Sequence, residues 1–335
     1  MKTGLSTVDP VIAVIGENIV DLVPNGDDGL LRPIPGGSPA NIAVSAARLG
    51  SPTALLARIG ADAFGRQIRR RLREDGVDER FLVDAAEPSS SLAVVSFDER
   101  RRASYDFWVT GTADWQWRPG ELPARLPASV RALHLGSIAA LRAPGAATIE
   151  AFAREQASND EVTLSLDPNL RPSIVGSGPE VTAAVERLVR LCQLVKVSDE
   201  DLDHLHPGRD PLEVAARWAA SGPSLVVVTR GGDGAVALAG DQRLTVSAPE
   251  IALVDTVGAG DSFAGALLHG LAAAGLLGSA LPKALAGADL TATIGPVVRA
   301  AVVAAALTCT REGADPPTRT ELETALAGYP QDALS

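Results

Sequence analysis

The segment DTVGAGDSF, at positions 255–263, places small residues and two carboxylates just before a long helical pattern. Gly258, Ala259 and Gly260 leave the backbone uncovered where that helix begins, so its free N–H groups and the positive end of its dipole point to one place. Such a place attracts an anion. Asp261 follows at once, and a carboxylate there can accept the proton of a hydroxyl while the amides hold a phosphate. The spacing therefore predicts phosphoryl transfer to an alcohol.

Other interpretations of the same glycines compete with this one. Asp261 could simply cap the helix, but the preceding Asp255 and Thr256 make the motif more specific than an isolated GxGD. A dinucleotide-binding GxGxxG is disfavoured because Phe263 stands at the third glycine position. A phosphate loop of the form GxxxxGKS or GxxxxGKT does not occur in the sequence.

A second motif, PGGSPANIAVSAARLG, occupies positions 35–50. Gly36 and Gly37 permit a close approach of the backbone to a ligand, and the Ser-Pro pair that follows starts a helix. Asn41 lies on the first turn of that helix with both donor and acceptor groups, which suits the hydroxyls of a sugar. The alternative is a glycine turn leading into an alanine-rich core helix.

Together the two motifs resemble the two signatures of the ribokinase-like, or PfkB, carbohydrate kinases, in that family's order and over essentially the whole chain. The resemblance implies an α/β three-layer α/β/α fold with a mostly parallel central sheet and a small β-sheet lid, as a single kinase domain over residues 1–335. It also implies that sugar binds between lid and sheet edge and that ATP lies along the carboxyl ends of the strands. Asp261 is then the base, and residues 258–260 form the anion hole.

Further positions match the family pattern one by one. Asp21, in GENIVDLVP, corresponds to the acid that holds sugar hydroxyls. The stretch DPNLR is similar to the DxNxR stretch of fructokinases and keto-deoxygluconate kinases, whose arginine, here Arg171, approaches the phosphates. The stretch TRGGDG resembles the TxGxxG nucleotide loop through Thr229, Gly231 and Gly234.

At the metal positions that the resemblance implies, the sequence matches the family pattern only in part. The family's NxxE motif, which organises magnesium with ATP, is matched here by Ser198 and Asp201, and we expect Asp201 to bind Mg²⁺ through water. Because Asp is one methylene shorter than Glu, the geometry differs from that of the family. A monovalent cation such as K⁺ is also implied. Its corresponding positions are Asp255, Val257, Thr308 and Gly313.

The elements that must position these residues alternate along the chain, as in βαβ units with a parallel sheet. Strands are predicted at 11–16, 54–60, 131–137, 162–168, 194–198 and 225–230. Helices are predicted at 39–49, 62–75, 144–157, 178–191, 211–221, 260–275 and 296–309, and capping residues in TRTELETALA predict a terminal helix.

Two segments interrupt the alternation and predict the lid. Residues 91–110 contain two alternating runs around a polar turn, and residues 19–35 contain a turn rich in Pro, Asn, Gly and Asp. If these hairpins pair with each other, they form a small sheet beside the large one. Its apolar face has little chain of its own to cover it, which suggests a homodimer through the lid.

Composition excludes several classes of function. A formal charge of −11 and a pI near 4.9 disfavour nucleic acid and acidic membrane surfaces as partners. The basic run between positions 66 and 73 has helical spacing and acidic neighbours, which predicts a solvated helix face. Two distant cysteines indicate neither a disulfide framework nor a zinc site, and the first apolar run lacks the features of a signal peptide. A cytoplasmic enzyme is expected.

The substrate depends on lid residues. The segments GENIVDLVP, GTADW, LHLGSIAAL, SLDPNLRP and VKVSDEDL look most like bacterial fructokinases, which favours D-fructose phosphorylated on a primary hydroxyl. Phe107 or Trp108, whichever points inward, is expected to cover one face of the sugar. Ribose, tagatose and 2-keto-3-deoxygluconate remain alternatives. A non-catalytic sugar or nucleotide sensor on the same fold and a nicotinamide oxidoreductase are the alternatives from other classes.

Overall fold

The computed structural model describes residues 11–25, 29–87, 89–97 and 103–329, and within them the strands form two sheets. The strands are β1 (Ile12–Ile15), β2 (Ile19–Pro24), β3 (Leu31–Pro35), β4 (Thr53–Gly60), β5 (Leu82–Ala85), β6 (Ser91–Phe97), β7 (Ala103–Trp108), β8 (Ala132–Gly136), β9 (Thr163–Asp167), β10 (Leu194–Ser198), β11 (Leu225–Thr229), β12 (Ala235–Ala239) and β13 (Gln242–Val246).

The helices alternate with these strands over most of the chain. They are α1 (Ser38–Arg48), α2 (Ala63–Glu74), α3 (Gly145–Gln156), α4 (Pro172–Val175), α5 (Pro179–Val189), α6 (Asp199–Leu205), α7 (Pro211–Ala219), α8 (Ala259–Ala273), α9 (Ala280–Leu285), α10 (Leu290–Thr308) and α11 (Arg319–Gly328). A capping box at Thr318 and Glu321 begins α11, the terminal helix that the sequence predicts.

The large sheet has the strand order β13-β12-β11-β10-β9-β8-β1-β4-β5. Its pairs are parallel from β10–β11 across to β4–β5, whereas β12 and β13 run antiparallel at one edge. The carboxyl ends of the parallel strands therefore meet along one edge, where ligands bind in open α/β sheets.

Buried side chains on both faces of the sheet produce the three layers. Along β1, Ile12 and Val14 join a core with α1, α8 and α10, while Ala13 and Ile15 join a second core with α3, α5 and α7. Alternation of side chains along a strand explains this division. The structure confirms the predicted three-layer α/β/α fold with a mostly parallel sheet.

The small sheet has the order β3-β2-β6-β7. Each hairpin is antiparallel, and the two join through a parallel pairing in which Ile19 is opposite Ser91 and Asp21 is opposite Ala93. The predicted pairing of the two hairpins is thus confirmed. The polar turn of the second hairpin, residues 98–102, lies outside the described residues. The use of this sheet as a lid stays a prediction.

Other sequence predictions need adjustment. The helix expected at 296–309 begins at Leu290, because Asp289 caps it and Pro296 is accommodated inside it. Within the described ranges α10 is long and apolar enough to cross a membrane by length and composition, and 56% of its most apolar stretch is buried. A core helix of a soluble protein passes the same test. The segment expected to be helical up to residue 275 ends as α8 at Ala273.

Candidate active site

A cavity of about 780 Å³ lies between the small sheet and the carboxyl ends of the large sheet's strands. It brings together most of the residues singled out from the sequence. Those that line it are Asp21, Gly37, Asn41, Phe107, Arg171, Ser198, Asp201, Thr229, Gly231, Val257, Gly258, Gly260 and Asp261. The remaining candidates, which are not among the lining residues, are Gly36, Gly234, Asp255, Ala259, Thr308 and Gly313.

Asp261 lies in the first turn of α8 and is held by two donors from α1. Ser38 Oγ donates to Asp261 Oδ1 at 2.6 Å, and Asn41 Nδ2 donates to Oδ2 at 2.9 Å. Burial raises the pKa of the Asp261 carboxyl, and these two hydrogen bonds oppose the rise by stabilising the anion. The carboxylate is therefore fixed in orientation and more basic than an exposed aspartate, as a general base requires.

Close packing of α1 on α8 makes this contact feasible. A Cβ atom at Gly265 would lie 2.5 Å from the Cβ of Ser45, so glycine lets the two helices approach. Ser45 Oγ also donates to the Ser262 carbonyl at 3.2 Å. Small residues in both motifs thus serve helix packing as well as the site.

The turn before α8 requires glycine at its first position. Gly258 has φ 76°, and a Cβ there would lie 2.5 Å from the Cβ of Ala314. The amide of Ala259 donates to the Thr256 carbonyl at 3.3 Å, within the turn itself. Gly258 and Gly260 line the cavity, where the unpaired N–H groups of a helix start suit an anion.

Among the candidates for substrate binding, Asp21 projects from β2. Burial raises its pKa to about 6, Arg71 and Arg171 oppose that rise, and Asp261 adds to it. Gly36 makes room for this carboxylate, since a Cβ there would lie 2.9 Å from Asp21 Oδ2. The Gly36 amide itself donates to the Ile19 carbonyl at 2.7 Å, so this glycine provides space for the carboxylate and not a hydrogen bond to it.

Gly37 and Phe107, two further candidates for substrate binding, also line the cavity. Gly37 has φ 95°, and a Cβ there would lie 2.8 Å from the Glu17 carbonyl oxygen. Phe107 lines the cavity and stacks on Tyr105 with ring centroids 6.1 Å apart, while the next residue, Trp108, is 58% exposed. The inward residue of the alternating pair is therefore Phe107.

Arg171 lines the cavity. Its guanidinium donates to Asn169 Oδ1 at 2.7 Å and to the Leu170 carbonyl at 2.8 Å. These contacts use one Nη atom and hold the arginine at the cavity wall with donors to spare.

The nucleotide candidates gather at the ends of β10 and β11. Ser198 and Thr229 are opposite each other in the parallel register and, with Gly231, line the cavity. Gly234 has a structural role: its φ is 87°, and a Cβ there would lie 2.0 Å from the Val246 carbonyl oxygen, so only glycine fits. It permits the return of the chain into β12.

Asp201, the magnesium candidate, accepts a hydrogen bond from the Leu170 amide at 3.1 Å, and burial raises its pKa. Its own amide donates to Ser198 Oγ at 3.0 Å, so Ser198 also caps α6. Among the described residues, no three His, Cys, Asp or Glu side chains cluster as a metal site.

The candidates for a monovalent cation lie around the turn that precedes α8. Asp255 Oδ1 accepts from the Val257 amide at 3.1 Å and Oδ2 from the Gly313 amide at 2.8 Å. Thr308 ends α10 and is buried, with its hydroxyl donating to the Ala304 carbonyl at 3.0 Å. Occupancy by K⁺ stays a prediction.

Sequence reasoning overlooked three charged residues at this site. Glu17 lines the cavity, and burial raises its pKa to about 7. Lys196 lines it too and is paired with Asp167. A carboxylate between two apolar strands and a lysine inside another were the available signals, because such groups are rarely buried without a partner or a function.

Arg71 corrects the prediction of a solvated basic face. Its side chain is only 19% exposed, and its guanidinium donates to the carbonyls of Pro35 and, at 3.0 Å, Ala314. It therefore ties α2 to the end of β3 and to the segment that packs on Gly258. Helical spacing could not reveal that other elements cover this face.

Comparisons with known proteins agree with this geometry. The sequence model of the pfkB family carbohydrate kinases matches residues 10–321. A fructokinase from Klebsiella pneumoniae is 34% identical over 305 residues, covering 90% of this chain and 94% of that protein.

Solved structures give the same picture. A fructokinase from Xylella fastidiosa with bound ATP has a TM-score of 0.86 at 25% identity, covering 95% of this chain and 98% of that one. A fructokinase from Vibrio cholerae O395, solved with fructose, ADP and a calcium ion, has a TM-score of 0.78 at 31% identity, covering 94% and 97%. A double mutant of the Vibrio protein was solved with fructose, ADP and a potassium ion. From its sequence and its fold alike, the chain belongs to the pfkB family of carbohydrate kinases.

Proposed function

We propose that this protein is an ATP-dependent fructokinase that transfers the γ-phosphoryl group of ATP to a primary hydroxyl of D-fructose. One observation carries the proposal: the buried Asp261 carboxylate, oriented by Ser38 and Asn41, faces a cavity that extends from the small sheet to the ends of β10 and β11. Asp261 therefore faces the region of the cavity where the sugar and the phosphates of ATP would meet.

In this proposal the sugar binds at the base of the small sheet. The Asp21 carboxylate accepts hydrogen bonds from sugar hydroxyls, and Asn41 and the Gly37 backbone contribute further polar groups. Phe107 covers one face of the ring. Because the sugar is neutral, one carboxylate and an amide suit it better than a cluster of cations would.

Transfer then takes place at the start of α8. Asp261 accepts the proton of the attacking hydroxyl as the new bond from sugar oxygen to phosphorus forms and the bond from phosphorus to the β,γ-bridging oxygen breaks. The amides of Gly258 and Gly260, which line the cavity, and the guanidinium of Arg171 stabilise the charge on the phosphoryl oxygens. ADP is the leaving group.

The nucleotide lies along Ser198, Thr229 and Gly231, with Gly234 shaping the loop. Magnesium bound with ATP would neutralise phosphate charge, and Asp201 would hold it through water. Bound calcium and potassium in the Vibrio cholerae structures support metal use in this family. For this chain we assign a K⁺ site to Asp255, Val257, Thr308 and Gly313.

The small sheet, about residues 19–35 and 91–110, acts as a lid that closes over the sugar and excludes water, within the single kinase domain. Its outer side exposes Leu31 and Trp108, at 45% and 58%, which supports a homodimer through the lid. We place the enzyme in the cytoplasm, without nucleic acid or membrane partners.

The test is an ADP-release assay under saturating magnesium ATP, with fructose, ribose, tagatose and 2-keto-3-deoxygluconate as acceptors. We expect the highest kcat/KM for fructose, because a site built to bind particular hydroxyls rejects analogues lacking them by about 10⁴-fold. Arg171 and Arg71, both near Asp21, make the anionic ketodeoxygluconate the informative competitor. A tenfold preference for it or for ribose would overturn the fructose assignment, while no ADP release with any sugar would overturn the kinase assignment.

A further inference from the structure

Lys196 is a buried cation at the floor of the cavity. It lies on β10 with its side chain 6% exposed, and Nζ donates to Asp167 Oδ2 at 2.8 Å. Asp167, 2% exposed, ends the neighbouring strand β9. Burying such a pair is costly unless the geometry is good, and it adds little to stability compared with apolar residues. Stability alone therefore does not explain why a buried lysine lines this cavity, and a role in ligand binding or catalysis does.

The position of Nζ points to the anion-binding turn. A Cβ atom at Gly260 would lie 3.1 Å from Lys196 Nζ, so the ammonium sits directly against the first turn of α8. An ammonium carries three N–H donors. Among the described residues, Asp167 is the one hydrogen-bond partner of Nζ, so donors remain for an anion held by the neighbouring amides.

The charges around Lys196 keep it protonated. Burial alone would lower its pKa, but Asp167, Asp201 and Asp261 raise the pKa above its ordinary value. Those same carboxylates would repel the phosphates of a nucleotide. A fixed positive charge beside the first turn of α8 offsets that repulsion in a region where water screens charge poorly.

We propose that Lys196 is a catalytic residue that contacts the phosphoryl group during transfer, and that Asp167 is its positioning residue. The inference rests on the proposed phosphoryl transfer and adds a side-chain cation to the backbone amides of the anion hole. Lys196 stays protonated throughout and forms no covalent bond. A charge fixed in place before the reaction stabilises the transition state more than the ground state, since charge on the phosphoryl oxygens changes during transfer.

The competing explanation is that Lys196 only neutralises Asp167 and links β9 to β10. Two variants separate the explanations. Lys196→Met removes the cation and leaves Asp167 unpaired, which threatens folding. The double variant Lys196→Met with Asp167→Asn removes both charges and keeps similar volumes, so it is expected to fold. Lys283→Met, on the exposed side of α9, is the matched control for loss of a lysine.

We expect the double variant to lower kcat by about 10²–10³-fold, the loss commonly seen when one donor to a transition-state oxyanion is removed. Fructose and ADP dissociation constants should change less than about threefold, because neither ligand contains the transferred phosphoryl group. A second readout is melting temperature with ADP, fructose and aluminium fluoride, which mimics the phosphoryl group. The rise that aluminium fluoride adds in the wild type should be lost in the double variant.

A double variant with wild-type kcat and an intact response to aluminium fluoride would overturn the proposal and leave Lys196 with a structural role. The proposal is also overturned if only one of the two results holds, that is, if kcat stays within about threefold of the wild type or if aluminium fluoride still raises the melting temperature. If another sugar is phosphorylated faster than fructose, the comparison uses that sugar. An inactive wild type would contradict the proposed function instead, so the two failures are distinguishable.

Discussion

Asn41 Nδ2 donates to Asp261 Oδ2 at 2.9 Å, although the two residues are 220 positions apart in the chain. The contact joins the first turn of α1 to the first turn of α8. It links a residue proposed to bind the sugar to the residue proposed to deprotonate it. The other polar atom of the same amide, Oδ1, is buried without a hydrogen-bond partner in the part of the chain that the structure describes.

Gly258 gives the first prediction. Gly258→Ala should lower kcat at least about tenfold and destabilise the fold by more than about 1 kcal/mol, because alanine is strained at positive φ and its Cβ would meet Ala314. Gly275→Ala is the control: it has φ 68° and open space around a Cβ, so it should carry the conformational cost alone. Equal effects of the two substitutions on kcat would show that the close approach of Ala314 has no role in the site.

The lid strand β7 gives the second prediction. Phe107 and Trp108 are adjacent but face opposite sides of the sheet, so their alanine variants should affect different properties. Phe107→Ala should raise the KM for fructose about tenfold or more and increase ATP hydrolysis without sugar, because the lid no longer excludes water. Trp108→Ala should leave KM near the wild-type value and weaken dimerisation, measured by sedimentation. A raised KM in Trp108→Ala with no change in Phe107→Ala would contradict the assignment.

Glu17 gives a prediction about pH. Burial raises its pKa from 4.5 to about 7, so the folded protein holds this proton more tightly than the unfolded chain. The contribution of Glu17 to stability is then fully present below pH 4.5 and is lost as the pH rises to about 7. Glu17→Gln should be more stable than the wild type at pH 8 by about 1–3 kcal/mol, with the gain disappearing near pH 4.5.

Urea unfolding of both proteins between pH 4.5 and pH 8 measures this difference. The free energy of unfolding of the variant relative to the wild type should rise with pH. A difference that is constant across the range would mean that Glu17 does not titrate as burial predicts.

The strands and helices that carry the site could be predicted from the sequence because they follow strong local patterns. Gly258 and Asp261 stand at a glycine-rich helix start that local chemistry identifies, and the alternation in β7 leaves two candidates that the structure resolves to Phe107. The β12–β13 hairpin was missed, although Ala239 pairs with Gln242 around a two-residue turn, which is a hairpin signal.

Long-range contacts explain the rest of what was missed. Lys196 and Asp167 meet because β9 and β10 are neighbours in the sheet, and neither lies in a segment whose local pattern indicates a pair. Arg71 fits a solvated helix by spacing alone, and only the three-dimensional course of β3 and of the segment around Ala314 buries it. Sheet order and the covering of helix faces are tertiary facts that periodicity does not contain.

The rate of phosphoryl transfer in a single turnover by Asp261→Asn tests the central claim most directly. The amide keeps the shape and can keep both contacts with α1, its oxygen accepting from Asn41 and its NH₂ donating to Ser38 Oγ, but it loses basicity, so the rate should fall by about 10²–10⁴-fold. Affinities for ATP and sugar should stay within about tenfold. Asp289→Asn, at the helix cap of α10, is the control and should transfer phosphate at the wild-type rate. A near-normal rate in purified Asp261→Asn would mean that Asp261 only caps its helix and that the base lies elsewhere.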